Sequence, residues 1–242
     1  MKLNIEIIQD EYDHTLSRRV SLLMFCYLNL CTKAEPAALL SVPVTMGGKS
    51  YGLEEVAEVM LLNEDQFILV PKKNAYISVI LRGLMKEHPE FKNEIKAFDG
   101  EKLLNPDEVE DEDPILLILS TIPEVNKERH DALLKAVDIF YDKCKVEMEK
   151  YKANYTAQLV QALENNTSEN PDEAKDKLEQ TNDTYTKMRD ELKEKKIKEV
   201  EDAYQRYLAK ETEKENLRKE EEEARGEKAG FSLNMLMEDN EE

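Results

Sequence analysis

Tryptophan is absent from this 242-residue chain, and glycine occurs only 7 times. Both scarcities point away from an all-β or loop-rich fold, which needs many turns. Cysteine occurs three times, at Cys26, Cys31 and Cys144. That number is too small and too odd for a disulfide framework, so these residues read as thiols in a reducing compartment. Positive charge is in deficit: 34 Lys and Arg stand against 53 Asp and Glu, for a net charge of −19. A free nucleic-acid binder carries a basic surface because phosphate contacts drive its affinity. This balance excludes such a surface over the molecule as a whole and leaves room only for a local one. Long apolar runs are missing too. The stretch from Val20 to Leu28 is well short of the roughly 20 residues needed to span a bilayer.

The acidity is uneven. Residues 107–113 contribute −6 and residues 210–242, with 12 acidic and 6 basic residues, another −6. The rest of the chain is ordinary, so the charge belongs to appendages more than to the fold.

Ser17-Arg18-Arg19 before the apolar Val20–Leu28 run is similar to a twin-arginine export signal. The competing reading, a helix buried in a bundle, is the one we adopt. No charged amphipathic presequence is evident, and the expectation for an imported protein is its mature form. Residues 9–31 read as the first helix, apolar nearly all round from Val20. This predicts deep burial or a partner on more than one face.

Residues 32–122 change character. Leu39–Thr45 is apolar and meets a turn signal at Gly47-Gly48. Val56–Leu62 and Gln66–Val70 flank Asn63-Glu64-Asp65 as a predicted hairpin. Asn74–Glu87 has helical spacing, and Pro114–Ser120 reads as a buried strand. After Pro123, Leu133, Val137, Phe140, Cys144, Met148, Tyr151, Tyr155, Leu159 and Leu163 step by three or four, forming one stripe on a long helix. The stripe breaks at 165–170. Asn170-Pro171-Asp172-Glu173 restarts a helix: Asn caps, Pro suits the first position, and Glu can bond back. Leu178, Tyr185, Met188, Leu192, Val200, Tyr204 and Tyr207 make the next stripe. The predicted class is α+β: a long three-helix bundle with a small β-rich α/β domain inserted after the first helix. The boundaries are 1–31 and 123–208 for the bundle, 32–122 for the insert, and 209–242 for an acidic, disordered or helical tail.

No catalytic constellation is present. His14, His88 and His130 lie far apart without metal-ligand spacing to cysteine, and they read as surface or packing residues. Gly48-Lys49-Ser50 lacks the first glycine of a phosphate-binding loop, since position 43 is Pro43. Asn154-Tyr155-Thr156 fits a glycosylation acceptor, which has no meaning without export. The acidic 107–113 stretch reads as a solvated loop sooner than a cation site. No cofactor, metal or small-molecule substrate is expected. Phe231, Leu233, Met235 and Leu236 are apolar residues embedded in the acidic tail. They could dock as a short helix in a partner groove or be merely sticky.

The order of these elements, with several local motifs, resembles the ribosome recycling factor family over residues 10–208. Cys31-Thr32-Lys33-Ala34-Glu35-Pro36-Ala37-Ala38-Leu39-Leu40 stands where that family has an Arg/Thr/Gly/Arg/Ala stretch followed by a proline and two leucines. Leu53–Ala57, Leu104-Asn105-Pro106 and Ile122–Arg129 match further motifs in order, and Pro171–Leu208 is similar to the closing helix. The arginine motifs are thinner than in bacterial members, and the look is closer to mitochondrial ones. The resemblance implies a non-enzymatic protein whose bundle lies on large-subunit ribosomal RNA and proteins. A translocase GTPase pushes its smaller domain about two linkers, Cys31–Lys33 and Thr121-Ile122-Pro123. It also implies RNA contact along the bundle, where the family's arginines sit at places occupied here by Asp138, Lys145, Glu149, Lys152 and Ala153. Lys33, Lys145 and Lys152 keep a positive charge and are the expected RNA contacts, with ordinary exposed charges as the competing reading. The expected location is the mitochondrial matrix, with the cytoplasm as alternative, and no membrane partner is expected. Two other roles stay open: a structural or assembly component of a mitochondrial ribosome that has lost recycling activity, and an acidic helical adaptor unrelated to the family.

Overall fold

A computed structural model describes residues 5–100, 102–108, 114–164 and 170–238; for Leu40, Ser41 and residues 223–238 it describes the backbone alone. Three helices form the bundle: α1 (Ile5–Leu28), α4 (Lys127–Glu164) and α5 (Pro171–Glu238). Their stripes meet in one core of Tyr12, Leu16, Val20, Leu23, Val137, Cys144, Met148, Leu159 and Leu178. Tyr12 is fully buried. Its ring lies 5.2 Å from that of Tyr155, and its hydroxyl donates to Asn182 Oδ1 at 3.0 Å. Tyr27 places its hydroxyl 3.1 Å from the Val137 carbonyl oxygen. Aromatic bulk thus fills the core while each buried O–H keeps an acceptor.

Two features of the bundle decide between alternatives that the sequence left open. First, α1 is not buried all round: Val20, Leu23 and Tyr27 face the core, while Leu22, Met24 and Phe25 are more than 40% exposed. Three helices in a triangle leave each one an outer face, however apolar it is. Likewise Met188 of the α5 stripe is 44% exposed. Second, α5 continues into the acidic tail as a helix, one of the two forms expected there. It runs unbroken to Glu238, because Glu-rich and Lys-rich sequence has high helix propensity and pairs along its surface, as in Lys219–Glu215.

Between α1 and α4 the chain makes a separate α/β body. Strands β1 (Pro43–Met46) and β2 (Lys49–Gly52) form a hairpin. Its turn residues Gly47 and Gly48 both have positive φ, 56° and 78°, which suits a tight two-residue turn. A short helix α2 (Leu53–Val56) leads into β3 (Ala57–Asn63) and β4 (Gln66–Pro71), then α3 (Ile77–Glu87), β5 (Lys92–Phe98), β6 (Leu103–Leu104) and β7 (Ile115–Thr121). The larger sheet is antiparallel, in the order β3-β4-β7-β5-β6. The helical spacing seen over Asn74–Glu87 resolves into a 3-10 turn at Asn74–Tyr76 and α3. Leu39, Val44, Leu53, Phe67, Leu69, Ile80, Leu84 and Ile118 make the core of this body. A third small cluster of Val125, Leu133, Val200 and Ala203 lies where α4 begins against α5.

Candidate functional site

The two linkers between the bodies are held, not loose. Cys31, Thr32 and Ile122 are buried, and Thr121 and Pro123 are half-buried. Arg129, in the first turn of α4, donates from one guanidinium nitrogen to the Cys31 carbonyl at 2.7 Å and from another to the Pro123 carbonyl. One planar group therefore bonds both chain crossings. Arginine suits this because its fork holds several donors in fixed geometry, where lysine offers a single point. Burial lowers the guanidinium's hold on its proton, and the neighbouring Glu90 and Cys31 act the other way. For Glu90, burial raises the carboxyl, but the bond to His88 and nearby Arg129 outweigh it, so the net direction is down. His88 is buried with its Nε2 3.3 Å from the Ala38 carbonyl and Nδ1 3.4 Å from Glu90. Its ring stacks on Phe91 with centroids 4.5 Å apart. Both ring nitrogens face acceptors, which favours the imidazolium. Burial opposes this, but Cys31 and Glu90 more than compensate and push the pKa to about 10.

The β3–β4 turn closes the junction from the insert side. Ala34 N donates to the Glu64 carbonyl at 2.6 Å and Ile122 N to the Asp65 carbonyl at 2.8 Å. Gln66 bonds the Thr121 hydroxyl at 3.1 Å. From the bundle side, Lys210 of α5 pairs with Glu124 at 3.1 Å and Asp65 at 3.6 Å.

The residues expected to touch RNA do not form one patch. Lys33 sits at the junction and pairs with Glu35 at 2.9 Å. Lys152 pairs with Glu179 of α5 at 2.7 Å. Burial raises the Asp190 carboxyl, bonds from Arg189 and Tyr141 more than offset it, and Lys145 adds a smaller lowering influence. The reversed position Asp138 pairs with Lys193 of α5 at 2.8 Å. Asp138 and Lys152 therefore face α5 across the α4–α5 seam, each paired with an opposite charge, while the exposed Lys145 acts on Asp190 of α5 through its charge. Arg189 and Lys193 also sit over the Tyr141 ring at 4.8 and 4.3 Å. The tail residues Phe231, Leu233, Met235 and Leu236 fall in the last part of α5, whose side chains lie outside the described residues, as do residues 109–113 of the acidic stretch. Among the described residues, no group of His, Cys, Asp and Glu could hold a metal ion, and no helix is long and apolar enough to cross a membrane.

Arg129 was not singled out from sequence, although a signal existed. The first turn of a helix favours acidic side chains because of the helix dipole, and here Asn126 caps the turn through the Arg129 N–H at 2.9 Å. An arginine in that place is locally unfavourable and therefore needs a tertiary reason.

Comparison with known proteins agrees with this architecture. A solution structure of the ribosome recycling factor is similar at 17% identity and a TM-score of 0.62, covering 84% of this chain and 100% of that one. A chain from models of the T. thermophilus ribosome recycling factor and E. coli elongation factor G bound to the E. coli post-termination complex is similar at 15% identity and a TM-score of 0.53, covering 82% and 99%. At these identities the likeness concerns the fold. No curated protein matches the sequence. A family model described as ribosome recycling factor matches residues 28–200, well over half of the chain, and the chain belongs to that family.

Proposed function

We propose that this protein is a recycling factor of the mitochondrial matrix. It binds the large ribosomal subunit between the subunits and, driven by a translocase elongation factor GTPase, helps separate them after termination. The observation that carries this reading is the junction: two parallel linkers bonded by one arginine, with a hairpin turn from the insert seated against both. Such a joint confines relative motion of the two bodies to a few residues, as transmission of a push from a partner requires. The task needs no catalytic group. A similar factor has been placed with elongation factor G on a post-termination complex, which supports the same pair of partners here.

A second reading is a structural or assembly component of a mitochondrial ribosome. The α4–α5 seam favours it, because Asp138 and Lys152, at two of the family's phosphate-gripping places, are paired with α5. So do the exposed Leu22, Met24 and Phe25 of α1, which suit a protein partner.

A splitting assay separates the two. Post-termination mitochondrial ribosomes would be mixed with the translocase and GTP, and subunits followed by light scattering. Recycling predicts faster splitting when the protein is added. Unchanged splitting, together with retention on one subunit through a high-salt wash, would sink the recycling reading, because apolar burial resists salt and phosphate contacts do not.

A further inference from the structure

Along another seam of the bundle the structure opens a groove of about 540 Å3 between α1 and α4. Thr15, Arg18 and Arg19 line it from α1, and Tyr151, Asn154 and Tyr155 from α4. No carboxylate lines this groove, in a protein whose net charge is −19. The Arg18-Arg19 pair, similar in sequence to an export signal, is here a pair of cations at the mouth of a cleft of mixed character, with Leu22 as its aliphatic wall.

The two arginines are held differently. Arg18 is exposed. Arg19 is half-buried and anchored by a bond from one guanidinium nitrogen to the Lys143 carbonyl at 3.3 Å. Its Nε is buried without a hydrogen-bond partner, and no other buried side-chain N or O among the described residues is in that position. The Cys144 thiol lies near it, but sulfur is a weak acceptor. Arg19 acts at a distance on the Glu147 carboxylate, which is held first by Lys150 at 3.0 Å. The Thr15 and Tyr155 hydroxyls bond each other at 3.1 Å and stand at the wall.

We propose that this groove binds an RNA backbone, with Arg18 and Arg19 gripping phosphate and Tyr151, Asn154 and Tyr155 meeting ribose or base. Guanidinium forks match phosphate oxygens two to two, and aromatic walls give bases a surface to stack on. The cationic contact of the bundle then lies at the α1–α4 seam, where a charge of +2 faces a cleft without acid, and not at the α4–α5 seam, where Lys152 is paired with Glu179. The inference deepens the recycling reading, since the RNA meant is that of the large subunit.

The test compares wild type with Arg18→Glu, with Arg18→Glu combined with Arg19→Gln, and with Lys145→Glu combined with Lys152→Glu. Binding is titrated to purified large subunits and to a 12-nucleotide single-stranded RNA across a salt series. Unchanged circular dichroism and melting establish that each variant is folded, and Arg18→Glu leaves the anchored Arg19 in place should the double variant unfold. The groove predicts about tenfold weaker binding for the arginine variants to both probes, a salt slope smaller by about 1 to 2, and less than about threefold change for the lysine variant. Arginine variants that bind both probes like wild type would overturn the proposal, as would a larger loss in the lysine variant. Displacement of the protein from subunits by polyglutamate but not by RNA would also overturn it, in favour of an acidic protein segment. If wild type ignores subunits yet binds the RNA through Arg18 and Arg19, the groove stands and the recycling reading falls.

Discussion

Arg129 and His88 carry the residue-scale behaviour of the junction. Truncating Arg129 to Ala removes two charge-assisted bonds and leaves the Cys31 and Pro123 carbonyls without their donor. The expected cost is about 3 kcal/mol, given about 1.5–3 kcal/mol for a hydrogen bond to a charged group. Arg129→Lys should recover only part of it, because one ammonium cannot reproduce a planar fork. Chemical denaturation measures the stability. A distance distribution between spin labels on α3 and α4 should broaden in the Ala variant and stay narrow in wild type; equal widths would show that Arg129 does not stiffen the joint. His88 makes a pH prediction. Its folded pKa lies above the unfolded value of about 6.5, at about 10, so the folded state binds the proton more tightly. The stabilisation is complete below pH 6.5 and is lost as pH rises toward 10. Melting of wild type should therefore fall between pH 6.5 and 10 by several degrees more than melting of a His88→Gln variant, and parallel curves would refute the buried imidazolium. Beyond the oddity of an arginine in a first helical turn, little of this was readable from sequence. His88 and Arg129 are 41 positions apart, and apart from the Glu90 carboxylate their acceptors are backbone carbonyls, which carry no sequence signature.

At the scale of elements, α3 shows how packing overrides propensity. Gly83 sits inside this helix, where alanine would be favoured by about 1 kcal/mol. A Cβ there would lie 2.7 Å from the Pro43 carbonyl oxygen of β1 and 3.1 Å from Val42. Gly83→Ala should consequently destabilise the insert by about 1–3 kcal/mol through overpacking, measured by urea denaturation; a stabilised variant would mean that β1 yields. The hairpin at Gln66, the β7 strand and the start of α5 were legible because each rests on local chemistry. Asn63 and Asp65 form their turn through a 2.9 Å bond, and Asn170 accepts from Asp172 N at 3.2 Å. For the tail the sequence left two forms open, disordered or helical. The apolar stripe that marked α5 stops at Tyr207, but helix persists where surface charge pairing and propensity suffice without a core.

The whole molecule is two cores joined at one crossing, plus a helix that outruns both. Residues 211–222 of α5 are exposed throughout, so they contribute little burial to either core. A chain ending after Lys210 should keep wild-type melting within about 2 °C, since surface changes away from packed features stay within about 0.5 kcal/mol. Ending instead before Lys210 removes the pairs to Glu124 and Asp65. Those pairs are exposed, so the change expected is looser closure of the junction in small-angle scattering with little loss of melting temperature. A large melting loss in the longer variant would mean that the exposed helix supports the fold.

Two kinds of information separate here. The sequence by itself determined the number of helices in the bundle, the inserted α/β body and the family resemblance. Those follow from hydrophobic period, from capping and turn residues, and from their order along one chain. The tertiary structure alone decided which charges are spent and which are available. Lys33 and Lys152 looked equal to Arg18 and Arg19 as cations in a string of letters. In space the lysines have carboxylates within 3 Å, while the arginines line a cleft without acid. Coulomb interaction depends on distance and burial, and between helices those are set by how the three stripes pack.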